Sequence, residues 1–257
     1  MKSKTLGLAS TGILLTSGLT ILGLAWKNPL GLSVAWVIIF TTAPLISKFK
    51  TKNWTVTQYV SIVSFIGIIT AVAEYISIAP APIGTTLAID VEAFLVVPLV
   101  LTSVFAIPYL FFTERYSKYK TENLSNSRVA LVFAAMCIFA SVAPRNVRSC
   151  AFLQLSDRLQ PVIVAIKQYE KDNSEPPPTL DALVPKYVES LPSTNMGAYR
   201  QYRIETGFLI DDRWQLTVPC STGFCNADEY YYLPTETYSE CGGGAVERIG
   251  KWAYFHE

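Results

Sequence analysis

Long apolar runs dominate the first 144 residues, and they constrain the fold of this chain more than any other feature of its sequence. An α-helix needs about 20 apolar residues to cross the roughly 30 Å hydrocarbon layer of a bilayer. The runs that approach this length lie at residues 6–26, 30–46, 57–79, 91–112 and 129–143. The pattern predicts a mainly α-helical polytopic membrane region with about five transmembrane helices, of which the fifth has the shortest run.

The first run, residues 6–26, follows Lys2 and Lys4, an arrangement that it shares with signal peptides. It is longer than a typical signal sequence and has no clear small-residue cleavage site. A second apolar run follows at once. We therefore interpret residues 6–26 as a span, with a cleaved signal peptide as the alternative.

Basic residues cluster in alternate loops between the predicted spans. If all five runs cross the membrane, nine lysines and arginines fall on one side, whereas only Lys27 lies in the short loops of the other side. Lysine and arginine in short loops are retained on the cytoplasmic side. The bias predicts a multi-pass protein of the cell membrane with a cytoplasmic N-terminus and an extracytoplasmic C-terminal domain.

Composition supports a division into a transmembrane domain, residues 1–144, and an extracytoplasmic domain, residues 145–257. Apolar residues make up 51% of the 257 residues and charged residues only 16%, whereas soluble domains average near a quarter charged. The net charge of +1 gives no signal for binding a polyanion, so nucleic acid is not an expected partner. The expected partners are the lipid bilayer and other membrane or envelope proteins.

The extracytoplasmic domain begins with a helical pattern and continues with strand patterns. From Phe152 to Tyr169, apolar residues recur at three- and four-residue steps, and Pro161 marks a kink or the start of the helix. A proline-rich turn at residues 175–178 ends this helix, and we expect Thr179 to cap a short second helix. Aromatic and β-branched residues then indicate strands at residues 199–210, 213–218, 229–233 and 247–255. This order predicts a small α+β domain with a long helix packed on an antiparallel sheet.

One segment resembles part of a known family. It joins the helix end QYEKDN, the prolines and TLDALVPKYVESLP, across about residues 153–192, and predicted strands follow it. This arrangement resembles the C-terminal domain of type II secretion pseudopilins, where a similar segment follows the long helix. The resemblance covers only the C-terminal domain. It implies an α+β fold and, more loosely, a role in assembly or partner binding.

Four of the five cysteines lie in the predicted extracytoplasmic domain, and extracytoplasmic cysteines commonly form disulfides. We predict that Cys220 pairs with Cys225 across a short loop, and that Cys150 pairs with Cys241 beside a glycine-rich turn. A metal or redox site is the alternative. The C-x4-C spacing matches neither zinc ribbons nor thioredoxin-like sites, and His256 is the single histidine, so we predict no metal and no cofactor.

Three acidic residues form a candidate polar membrane site near the outer ends of the third and fourth runs: Glu74, Asp90 and Glu92. A carboxylate inside a membrane span is costly and often has a function. The alternative is structural. Glu74 would then reach headgroup water, and Asp90 and Glu92 would favour the N-terminal end of a helix dipole.

Aromatic residues of the predicted strands form a candidate ligand or partner face: Tyr230, Tyr232, Trp252 and Tyr254. The alternative is that they form the core, as alternating aromatic residues in strands usually do. His256, beside Glu257 near the end of the chain, could act in acid–base chemistry or bind a metal. At the end of a strand, however, we expect it to be a surface residue.

These patterns favour an integral membrane protein that presents an extracytoplasmic binding or assembly domain, as a non-catalytic subunit or accessory of a membrane or envelope complex. A nucleophile, a base and an orienting group cannot be assembled around one terminal histidine, and no G-x-S-x-G or phosphate-binding glycine loop occurs. We therefore predict no catalytic residue. The alternative is a membrane enzyme or signalling subunit that uses Glu74, Asp90 and Glu92.

Overall fold

A computed structural model of the chain describes residues 27–51, 54–79, 123–207, 213–220, 228–238 and 245–256. They form three α-helices, α1 (Pro29–Thr51), α2 (Trp54–Ile78) and α3 (Asn123–Asn173). A 3-10 helix, Leu180–Leu183, follows α3. The β-strands of the described residues are β1 (Arg203–Thr206), β2 (Trp214–Pro219), β3 (Glu229–Tyr232), β4 (Ala245–Ile249) and β5 (Trp252–His256).

The described residues belong to two compact units. The helical unit contains residues 27–75 and 123–150, and the α+β unit contains residues 76–79 and 151–256. The boundary between the units falls inside α3, at Cys150 and Ala151. The domain boundary expected after residue 144 stays a prediction.

The prediction of about five transmembrane helices is wrong. Within the described residues, one helical segment, Thr57–Ile78, is long and apolar enough to cross a bilayer. The apolar part of α1, Pro29–Leu45, has 17 residues, and that number spans only about 25 Å of the hydrocarbon layer. Residues 129–143 form no separate helix, because α3 continues through them for 51 residues. The runs at 6–26 and 91–112 lie outside the described residues.

The orientation prediction assumed loops between five spans, so the charge bias alone no longer decides which side the C-terminal domain occupies. The membrane topology therefore stays a prediction, and among the described residues the candidate span is Thr57–Ile78 of α2.

The helical unit carries large apolar side chains on its outside. On α1, Leu30, Val34 and Ile38 are exposed at four-residue steps, whereas Trp36 and Phe40 are buried. On α2 the exposed apolar side chains include Ile62, Phe65 and Val72. An apolar exterior over successive helix turns is unusual for a protein in water and is typical of a surface that contacts lipid or another protein.

Small and polar residues allow α1 and α2 to pack closely. A Cβ atom added at Gly67 would lie 2.5 Å from the ring of Phe40, so only glycine fits at this contact. Ser33 Oγ donates a hydrogen bond of 3.4 Å to the Ala71 carbonyl on the neighbouring helix. The buried polar residues of this unit lie on the inner faces of the helices: Ser33, Ser64, Thr70 and Glu74.

The part of α3 in the α+β unit has a continuous buried face, which the apolar periodicity indicated. Its larger buried side chains are Phe152, Leu155, Leu159, Val162, Ile163 and Ile166. The helix neither starts nor stops at Pro161, which lies within it. It ends at Asn173, where Ser174 takes a left-handed conformation with φ 63° and its N–H donates to the Glu170 carbonyl at 2.8 Å.

The second helix expected after the proline-rich turn is only one 3-10 turn, Leu180–Leu183. Thr179 precedes this turn but makes no side-chain capping hydrogen bond, so its predicted capping role is wrong. Leu180 and Leu183 are nevertheless buried, because a single turn is enough to direct both side chains inwards.

The five strands form one antiparallel sheet in the order β1-β2-β3-β5-β4. The segment predicted as a single strand at 247–255 is instead the hairpin of β4 and β5. Gly250 makes this turn possible, because its φ of 66° is a conformation that other residues rarely adopt. The register pairs Ile249 with Trp252 beside the turn.

One face of the sheet packs on α3. Trp214, Leu216 and Val218 alternate along β2 and are buried. The buried aromatic residues of β3 and β5 are Tyr230, Tyr232, Trp252 and Tyr254. The Trp214 Nε1 donates to Glu170 Oε2 at 3.0 Å, and Glu170 Oε1 also lies 3.1 Å from the Arg213 guanidinium. These contacts join the end of α3 to the start of β2.

Candidate functional site

The four aromatic residues that were predicted as a ligand or partner face lie in the core. Tyr230, Tyr232, Trp252 and Tyr254 are each at most 2% exposed. Tyr230 stacks on Trp252 with ring centroids 4.9 Å apart, and its hydroxyl donates to the Phe152 carbonyl at 3.2 Å. Their burial follows from the register, which directs all four towards α3. They therefore stabilise the domain and form no open surface.

The cysteines are only partly described. Cys150 on α3 and Cys220 after β2 are both buried, whereas Cys225 and Cys241 lie outside the described residues. Burial raises the pKa of the Cys150 thiol to about 11, with a smaller opposing effect from Lys27. A reduced Cys150 would thus stay protonated at neutral pH and would be a poor nucleophile. The two disulfide pairings stay predictions.

The candidate polar membrane site is described only at Glu74, because Asp90 and Glu92 lie outside the described residues. The structural alternative expected the Glu74 side chain to reach headgroup water. Instead the side chain is buried, with Glu74 only 1% exposed. It lies on the buried side of α2, one turn from Thr70, whose hydroxyl donates to the Gly67 carbonyl at 3.0 Å. Helical spacing places both residues on the same face.

His256 has carboxylate neighbours that its sequence position did not indicate. Its Nδ1 lies 3.7 Å from Asp228 Oδ2, and its Nε2 lies 3.5 Å from Glu247 Oε2. The Tyr254 hydroxyl donates to the same Asp228 oxygen at 2.9 Å. Across the described ranges, no three His, Cys, Asp or Glu side chains converge in a way that could hold a metal ion.

A cleft of about 370 Å³ lies at the start of β1 in the α+β unit. We call it the β1 cleft, and its lining residues are Leu180, Leu191, Pro192, Ser193, Arg200, Gln201, Tyr202, Arg203 and Pro219. The Tyr202 hydroxyl donates to the Pro192 carbonyl at 2.9 Å. Burial raises the pKa of Tyr202 to about 12, so this hydroxyl keeps its proton at neutral pH.

The sequence alone did not indicate this cleft. Residues 199–203, YRQYR, combine basic and aromatic side chains, but they were assigned to a strand that in fact begins only at Arg203. The alternation of basic and aromatic residues just before β1 is the sequence feature that could have indicated this cleft. The remaining walls come from the turn after α3 and from the end of β2, which no local pattern connects to this segment.

A cluster of charges lies beside the cleft. Arg203 pairs with Glu205 on its own strand and, at 3.2 Å, with Glu229 on β3. Gln215 Nε2 also donates to Glu205, and Thr217 Oγ1 donates to it at 3.4 Å. The cluster fixes the side chain of Arg203, which is one of the residues lining the cleft.

Glu229 is the carboxyl group of this cluster whose ionisation is disfavoured. Burial raises its pKa above the usual 4.5, the nearby charge of Glu205 adds to this, and Arg203 opposes it. The folded state therefore binds this proton more tightly than the unfolded state, so the contribution of Glu229 to stability is lost as pH rises above about 4.5. We expect Glu229→Gln to reduce the loss of stability as the pH rises above about 4.5.

Chemical denaturation at several pH values checks this expectation. Glu189→Gln, at an exposed position, is the control for removing one negative charge. If the Glu229→Gln profile coincides with that of the unmodified chain, the proposed cost of ionising Glu229 is wrong.

Comparison with known proteins gives no assignment for either unit. The chain matches no family model, no curated protein and no solved structure. The features that bear on its function are the buried Glu74 carboxylate in the helical unit and the β1 cleft in the α+β unit.

Proposed function

We propose that this chain is a membrane-anchored binding module. In this proposal α2 anchors the chain in the bilayer, and the α+β unit binds a partner protein of a membrane or envelope complex. The exposed apolar side of α2 is the observation that carries the proposal, with Phe65 the most exposed of its large apolar side chains at 64%. Such a side chain is costly in water and favourable in lipid.

The construction of the α+β unit supports a binding role over a catalytic one. Its interior is filled by aromatic and aliphatic side chains that contact one another, and the polar groups described at its surface include the ion pairs Arg203–Glu229 and Arg213–Glu170. The resemblance of residues 153–192 to pseudopilins favours the same role, because those domains act through assembly with other proteins. The domain would be extracytoplasmic, as its four cysteines suggest.

Partner capture from native membranes tests the proposal. The full chain would carry a photo-crosslinking residue at Ser193, an exposed position beside the β1 cleft, and be isolated after mild solubilisation. We expect one crosslinked protein that co-purifies in constant ratio. A matched crosslinker at the exposed Lys171, at the end of α3, should not yield the same adduct. A chain recovered alone, with turnover of a membrane substrate, would contradict the proposal.

The second candidate, a membrane enzyme or signalling subunit, is favoured by one observation, the complete burial of Glu74 in an apolar helix. Intramembrane carboxylates often bind ions or transfer protons. Under this alternative Glu74→Gln would abolish function at an unchanged protein level in the membrane. Under the binding-module proposal, the same variant should still capture the partner.

A further inference from the structure

We propose that residues 193–198 of the α+β unit lie in the headgroup layer of the bilayer, where they contact phospholipid headgroups. The proposal rests on the proposed function, because it requires α2 to span the membrane. It goes further by assigning a lipid-contacting surface to the α+β unit. Three features carry it: backbone hydrogen bonds to the end of α2, the length of the candidate span, and the exposed polar side chains of the segment.

The segment is bonded to the end of α2. The Gly197 N–H donates to the Ala79 carbonyl at 2.7 Å, and the Ala198 N–H donates to the Ser77 carbonyl at 3.1 Å. The last carbonyl groups of an α-helix have no partner within the helix. Ser77 and Ala79 are buried, at 0% and 8% exposed, so donors from the protein take the place of water. These bonds fix the position of the segment along α2.

The end of α2 marks the edge of the hydrocarbon layer. The candidate span, Thr57–Ile78, has 22 residues, which extend about 33 Å along a helix, close to the roughly 30 Å of that layer. Ser77 and Ala79 therefore lie at its edge. The headgroup layer beyond is about 5–8 Å thick, and two residues of an extended chain cover at most about 7 Å. Residues 195–198 are therefore at the level of the headgroups.

A lysine before α1 supports this level. α1 and α2 run in opposite directions, because Phe40 packs on Gly67 whereas the earlier Ser33 bonds to the later Ala71. α1 begins one turn before Ser33, so its start lies beside the last turns of α2. Lys27 precedes that start. Lysines at the ends of membrane helices extend their ammonium groups to the headgroup layer.

The side chains of the segment suit a layer of phospholipid headgroups. Ser193 and Asn195 are exposed, and the Ser193 hydroxyl donates to Asn195 Oδ1 at 2.7 Å. Hydroxyl and amide groups can also donate to phosphate and ester oxygens. The sequence of the segment, STNMGA, has no charged side chain, so no charge loses water when the segment enters the layer. Because Ser193 also lines the β1 cleft, a partner that enters the cleft would do so beside the bilayer.

The first test uses the unmodified full chain in phosphatidylcholine nanodiscs that contain a small fraction of lipid with a gadolinium chelate on its headgroup. The paramagnetic ion should broaden the amide NMR signals of residues 196–198 strongly and those of residues 168–171 little. Phe152 stacks on Tyr199 beside the segment, and residues 168–171 begin about 24 Å further along α3. Broadening of 196–198 no greater than that of 168–171 would overturn the proposal.

The second test places a photo-crosslinking residue at one of three exposed positions in the same nanodiscs, Asn195, Lys171 or Phe65. We expect phospholipid adducts by mass spectrometry from Asn195 and Phe65, and a loss of adducts at Lys171. Hydrogen exchange verifies that each variant folds. If the Asn195 variant loses its protection, the paramagnetic measurement on the unmodified chain decides.

The outcomes separate this inference from the proposed function. Adducts from Phe65 without adducts from Asn195 would overturn the inference and leave α2 as the anchor of the binding module. If Phe65 gives no lipid adduct either, α2 does not span the bilayer, and the membrane anchoring fails together with the inference.

Discussion

Replacing Phe152 with alanine should lower the free energy of unfolding of the α+β unit by about 3–5 kcal/mol, the usual cost of deleting a fully buried aromatic side chain. Phe152 is fully buried, and its ring contacts Tyr230, Tyr254 and Tyr199 at centroid distances of 4.5, 5.3 and 5.7 Å. It therefore joins α3 to β3, to β5 and to the segment before β1. Truncation leaves a cavity that three large rings cannot close without moving.

Amide hydrogen exchange in β2, β3 and β5 measures this loss within the α+β unit of the full chain. Val164→Ala is the matched control, because Val164 lies on the same helix and is 57% exposed. Its effect should stay within about 0.5 kcal/mol. If Phe152→Ala changed exchange no more than Val164→Ala does, the described aromatic core would be wrong.

Introducing arginine at Phe65 should displace α2 from the bilayer. Phe65 lies near the middle of the candidate span Thr57–Ile78 and is directed away from α1. Arginine at the centre of a membrane helix costs about 2.5–3.5 kcal/mol for insertion, which corresponds to a change of about a hundredfold in the insertion equilibrium. We therefore expect a large decrease in the fraction of chain that stays with membranes after an alkaline wash.

Phe65→Leu is the conservative variant for this experiment and should stay in the membrane as the unmodified chain does. Ile62→Arg places the charge one turn away on the same exposed face and should behave like Phe65→Arg. Retention of both arginine variants would show that this face does not contact lipid as the anchor of the chain.

Local patterns in the sequence anticipated the elements of the α+β unit but not all of their limits. The periodic apolar residues from Phe152 to Ile166 indicated the buried face of α3, because side chains four apart lie on one face of any helix. The hairpin of β4 and β5 was missed. Alternation continues on both sides of Gly250 and Lys251, so the pattern alone does not show that the chain reverses there.

The candidate sites were less predictable than the helices and strands. The aromatic residues Tyr230 and Trp252 were offered as a possible binding face, but which face of a strand is buried depends on what packs against it. The β1 cleft has walls from Leu180, Leu191 and Pro219, which are separated by up to 39 positions in the chain. The pairing of β1 with β2 brings them together, and no spacing in the sequence encodes it.

The sequence by itself determined that this chain has strongly apolar helical segments before residue 144 and a helix followed by antiparallel strands after it, since periodicity and side-chain type act locally. Only the tertiary structure decided how many of the described helices are long enough to span a bilayer, that Glu74 and the aromatic residues are buried, and that an arginine-lined cleft lies beside β1. Burial and proximity are properties of packing between distant segments. Neighbouring residues in the chain do not determine them.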